Sequence, residues 1–177
     1  MRNILARLAL VTTITLGALG TFAAPAAADP IDTTSCDYGT YLLPFTSYND
    51  CIRIGDYSDG DWRVVVGLDI NVPTAYAQQE ILDCPASFSA ELWGADTDGT
   101  AGFQWVPHSG DQFLTWLPIS AGPTLGSGVL GIEFAKTVGW QVLNEDNGTD
   151  EVYVLIKFND CRVGQLTLRT NNIVHNF

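Results

Sequence analysis

Apolar side chains recur at every second position over long runs of this chain, a period that fits β-strands resting one face on a core. Residues 62–72 (WRVVVGLDINV) are the cleanest case. Trp62, Val64, Val66, Leu68, Ile70 and Val72 share one side, Arg63, Asp69 and Asn71 take the other, and Pro73 stops the run. Residues 138–158 (VGWQVLNEDNGTDEVYVLIKF) read as two strands folded back on each other. Asn147-Gly148 first suggests a two-residue turn, but register favours a three-residue loop, Asp146-Asn147-Gly148. That loop pairs Val142 with Val152, Trp140 with Val154 and Val138 with Ile156, and gives Gly148 the left-handed position.

The same alternation marks Phe88, Ala90 and Leu92 within residues 86–95, and Leu130, Ile132 and Phe134 within residues 129–135. Shorter candidates lie at 103–106 and 113–117. In residues 161–170 the phase slips, and Gly164 is placed to absorb the extra residue as a bulge. The glycine-rich stretch 121–128 (AGPTLGSG) reads as a link, and residues 74–83 as one short helical turn with Thr74 at its N-cap. Residues 29–61 read as irregular apart from a short edge strand within 38–45, and the tail from Asn171 adds an edge strand or frays. About eight short strands with close turn signals predict an antiparallel β-sandwich, immunoglobulin-like or related, with at most one short helix. A small closed barrel is the alternative.

The first 28 residues carry export signals. Arg2 and Arg7 precede an apolar run over residues 8–22, and Ala26-Ala27-Ala28 offers small residues for cleavage before Asp29. No later stretch is long and apolar enough to span a bilayer. The expected product is a secreted or cell-envelope protein, with 29–61 leading into a sandwich over 62–177 and 29–177 forming one unit. The formal net charge is −12, and losing the leader removes two arginines. Such a surface repels phosphate backbones, so nucleic acid is excluded as a partner. All four cysteines, Cys36, Cys51, Cys84 and Cys161, follow the leader. An even count in an oxidising compartment predicts two disulfides, and Cys36–Cys51 with Cys84–Cys161 is the favoured pairing. The alanine-rich leader and acidic, disulfide-bearing β domain resemble small exported proteins of Gram-positive, high-GC bacteria. That resemblance covers leader and composition and assigns no functional residue.

Calcium is the one cofactor the acidic turns would suit, with Asp96 and Asp98 in DTDG as candidate ligands. The later glutamate of a full calcium loop is missing, and Asp, Asn and Gly are also what turns demand. Among the aromatics, Trp93 is the expected exposed binding residue, with Trp105, Trp116, Tyr76 and Tyr153 as further candidates, while Trp62 and Trp140 fit core phases. On the predicted hairpin, Leu143, Tyr153 and Leu155 occupy the face opposite the core set, an apolar surface that would dock a partner. Catalysis has weaker support. His108-Ser109-Gly110-Asp111 are sequence neighbours, whereas triads converge from separate elements, and nothing selects a carboxylate pair from Glu80, Glu91 and Glu133. The reading is a non-catalytic protein that binds a protein or glycan of the envelope or surroundings. The rivals are a hydrolase with carboxylate or histidine chemistry and an envelope pore or calcium-dependent binding subunit.

Overall fold

The computed structural model describes residues 33–40, 47–84, 88–96, 102–103, 106–144, 149–160 and 164–177. Two antiparallel sheets face each other. The first, five-stranded, contains β1 (Thr33–Thr40), β2 (Ser47–Ser58), β3 (Asp61–Asn71), β7 (Ile119–Gly126) and β8 (Val129–Gly139), ordered β1-β2-β3-β8-β7. The second contains β4 (Phe88–Gly94), β5 (Gly102–Phe103), β6 (Gln112–Leu117), β9 (Asp150–Asp160) and β10 (Gly164–Arg169), ordered β5-β10-β9-β4-β6. There β11 (Ile173–His175) continues the β10 edge of β9. An all-β sandwich is therefore the observed architecture.

Alternation places the core. In register across β2, β3 and β8 stand Ile52, Val66 and Phe134, then Ile54 beside Val64, and Leu68 beside Ile132. All are buried against Ala90, Leu92, Val152, Val154, Ile156 and Phe158 of the facing sheet. Two hairpins close on two-residue loops whose residues both take positive φ, Asp59-Gly60 (51° and 84°) and Ser127-Gly128 (48° and 84°). Such loops match the strands' right-handed twist and favour glycine second. The tail is held by its rings, Phe177 and His175 packing edge-on to Trp62 at 5.2 and 5.5 Å.

Several expectations are corrected. Residues 138–158 do not form a hairpin. Val138 pairs with Trp62 of β3, Trp140–Leu143 turns into a short helix (α2), and β9 lies in the other sheet between β4 and β10. β3 pairs with β8 as far as Gly139, whereas β7 pairs only with Val129 to Phe134, so it is the turn into α2 and not a filled edge that ends the strand. Trp140 consequently leaves the core phase and is exposed. The segment expected to be irregular supplies two long strands, β1 and β2, which pair across eight positions. The glycine-rich link is strand β7, with two register shifts against β8. Thr74–Asp83 forms a full helix (α1), and Pro73 stands at the cap, its carbonyl accepting from the Tyr76 and Ala77 amides. Residues 145–148 lie outside the described residues.

Candidate binding surface

Leu143, Tyr153 and Leu155, expected on an exposed face, are all buried. Leu143 faces the space between the sheets, because the chain turns helical there instead of continuing β8. Tyr153 and Leu155 do point away from the main core, but join Ala95 and part of Trp93 in a second apolar cluster. The described end of the connection between β4 and β6, His108 to Asp111, reaches this cluster. Its Asp111 Oδ2 accepts from the Tyr153 hydroxyl at 2.9 Å, and the Arg169 guanidinium stacks 3.9 Å from the Tyr153 ring centre. Arg169 is wholly buried; it donates to the Thr170 carbonyl and to Asn172, whose amide donates in turn to Glu151. Burial, reinforced by the bond to Asp111, pushes the Tyr153 hydroxyl well above the usual phenol range, while burial lowers Arg169. These contacts latch Asp111 beside Tyr153, and Tyr153 and Leu155 are both buried, so neither offers its side chain to a partner.

Beyond the latch the outer face of the same sheet is open. Phe113 and Trp116, three apart on β6, would face opposite sides of a regular strand. A bulge intervenes: Leu92 pairs with Thr115 but Trp93 with Phe113, so Leu114 is the extra residue. Phe113 thereby lies beside Trp93 and Trp116 beside Glu91, all on the outward side. The rings form a continuous strip, Trp93 to Phe113 at 5.6 Å and Phe113 to Trp116 at 5.5 Å, with Phe113 40% and Trp116 54% exposed. Glu91, buried, organises its base. One carboxylate oxygen accepts from the Trp93 indole at 3.0 Å and the other pairs with Lys157, whose ammonium lies 5.7 Å from the Trp116 ring centre. Trp93 is half-buried within this strip. Sequence reasoning found Trp93 and Trp116 as separate candidates and missed Phe113, since the bulge that aligns them depends on the neighbouring strand.

The outer face of the five-stranded sheet carries a groove of about 430 Å³. Gly67 and Gly131 are in its lining, with Arg53 and Glu133 bridged at 3.2 Å. Ser120 donates to the other Glu133 oxygen at 2.9 Å. The Cys36–Cys51 disulfide joins β1 to β2 along this face, as expected. Cys84 is disulfide-bonded too, and Cys161 lies outside the described residues. On the inward side of the same strand pair, Asp50 stands opposite Asp37. Asp50 is fully buried with neither carboxylate oxygen hydrogen-bonded among the described residues, and burial, then the Asp37 charge, pushes it up to about 8.

The remaining candidates do not converge. Glu80 is buried on α1, while Glu91 and Glu133 lie on opposite outer faces of the sandwich. His108 closes a turn with Asp111, its amide donating to Asp111 Oδ2 at 2.8 Å and its carbonyl accepting from the Asp111 amide at 3.2 Å. Asp96 is exposed, and Asp98 and Trp105 lie outside the described residues. No group of three or more potential metal ligands occurs among the described residues, and no helix there is long and apolar enough to cross a membrane. Compared with known proteins, the chain matches no family model, no curated protein and no solved structure.

Proposed function

We propose that this chain is an exported, non-catalytic binding protein that docks an extended segment of a partner protein along β6. The observation that carries the reading is the strip Trp93–Phe113–Trp116, two of its rings half in water on the last strand of a sheet. Large aromatics kept at a surface mark binding sites, and an edge strand offers unpaired backbone groups to an incoming strand. Ring orientation supports a protein over a glycan. Successive planes meet at 73° and 60°, so the strip is ridged, with clefts that suit side chains, whereas a sugar chain stacks on flat rings. Lys157 and Glu91 supply a polar margin for orientation. Export is supported by the leader pattern and by the Cys36–Cys51 bond, which persists in oxidising compartments.

The test is selection from a displayed library of extended peptides, followed by binding to the Phe113→Ala, Trp116→Ala double variant. Enrichment of peptides with alternating apolar residues, and at least ten-fold weaker binding by the variant with unchanged circular dichroism, is the expected result. Selected peptides that bind the variant equally well, or glycan-array binding that depends on Trp116, would overturn it.

A further inference from the structure

We propose that the groove on the opposite sheet is a second binding site, which takes a short extended peptide bearing lysine or arginine. Its geometry, its glycine and its charge lead to this independently of the aromatic strip.

The groove crosses the strands from Thr34 and Arg53 on β1 and β2 to Thr124 on β7. Five strands at the usual spacing span about 19 Å, the length of roughly six extended residues. Gly67 lies at the centre of β3, in register with Cys51 and Glu133. A Cβ added to it would meet nothing within 4 Å. Packing therefore does not demand glycine at this position, although glycine is a poor residue for a strand interior. What its missing side chain does is keep the groove open, and mid-strand glycines often mark close approach by another backbone.

Charge selects the occupant. Arg53 is matched by Glu133, which Ser120 also holds. Asp69, one row along from Gly67, is exposed and has no hydrogen-bond or ion-pair partner among the described residues. The groove therefore carries a surplus negative charge at Asp69, within a chain of net charge −12 that attracts cations from a distance. An ammonium or guanidinium reaching Asp69 completes the site, while Asn49, Thr34 and Thr124 offer neutral donors and acceptors to the peptide backbone. A phosphate or an acidic segment would meet Asp69 and Glu133 and be rejected.

The experiment is a titration of the full disulfide-bonded chain, followed by backbone amide NMR, with a hexapeptide alternating lysine and serine. Saturable shifts confined to Gly67, Asp69, Gly131 and their neighbours are expected, and none with the glutamate–serine counterpart. Asp69→Asn should weaken binding at least ten-fold. Gly67→Val should abolish it without lowering the melting temperature, since the added methyls occupy empty space. The Phe113→Ala, Trp116→Ala variant should bind this peptide normally, which separates the result from the fate of the first site. Non-saturating shifts spread over the acidic surface, retained binding by Gly67→Val, or equal affinity for free spermidine would each overturn the proposal.

Discussion

Replacing Asp50 by asparagine isolates a large contribution to stability that changes across the neutral pH range. The Asp50 carboxyl is buried with neither oxygen hydrogen-bonded among the described residues, directly across from Asp37, whose own carboxylate accepts from the Tyr48 hydroxyl at 3.3 Å. Its folded pKa is raised to about 8 from an ordinary 3.8. Between those values the folded chain keeps a proton that the unfolded chain has released. Stability from this group is thus complete below about pH 4 and is lost as pH rises toward 8. Each unit is worth about 1.4 kcal/mol, so the loss totals roughly 4–7 kcal/mol, a large share of a typical domain's ~5–15 kcal/mol. Urea unfolding followed by tryptophan fluorescence at pH 5, 6, 7 and 8, with disulfides intact, should show the native chain weakening steadily. Asp50→Asn cannot ionise, so its curve should be flat and should lie roughly 4–5 kcal/mol above the native chain at pH 7. Asp37→Asn should keep most of the slope, because burial and not the Asp37 charge is the main cause. Native stability that rises or stays level over this span, or an Asp50→Asn curve parallel to it, would refute the reasoning.

Other perturbations follow from packing and cross-links. Tyr153→Phe removes the hydroxyl that holds Asp111 over the second cluster; a loss of about 1–3 kcal/mol is expected by urea unfolding, with faster amide exchange between β4 and β6. Phe134→Ala, at a fully buried position of β8, should cost about 3–5 kcal/mol in the same assay. Cys36→Ser with Cys51→Ser opens a link between residues 15 apart in sequence and should cost about 3 kcal/mol. Calorimetry would check that value, and amide exchange should locate the loosening in β1.

Local physics accounts for the features that could be read from residue order. The alternation of Val64, Val66, Leu68 and Ile70 specified which side of β3 is dry, and the structure buries all four. Pro73 ended that strand for want of a donor; Gly164, expected as a bulge, instead opens β10 at φ 100° in unbroken register with Asp160 of β9. The two-residue loops at Asp59-Gly60 and Ser127-Gly128 also follow from local twist, although the second was read as part of a link. The disulfide between Cys36 and Cys51 was legible because two cysteines close in sequence, among four, have few choices.

Pairing over distance was not legible, because alternation labels the faces of a strand and says nothing of its neighbours. Residues 138–142 carry the period of a strand whether or not they extend one; β8 stops at Gly139, the chain turns into α2, and β9 pairs with β4 and β10 in the other sheet. The same limit decided both candidate surfaces. Tyr153 and Leu155 alternate outward as expected, yet both are buried, Tyr153 between the Arg169 guanidinium and its bond to Asp111. Phe113 and Trp116 share a side only because β6 bulges against β4, and Gly67 opens a groove only because its neighbours across two strands leave it bare. Side-chain period and backbone conformation are properties of a few consecutive residues, so residue order sufficed for them. Strand partnership, bulge register and the burial of outward side chains arise when segments far apart in the chain compete for the same backbone hydrogen bonds and the same apolar surface, and the assembled fold alone settles that competition.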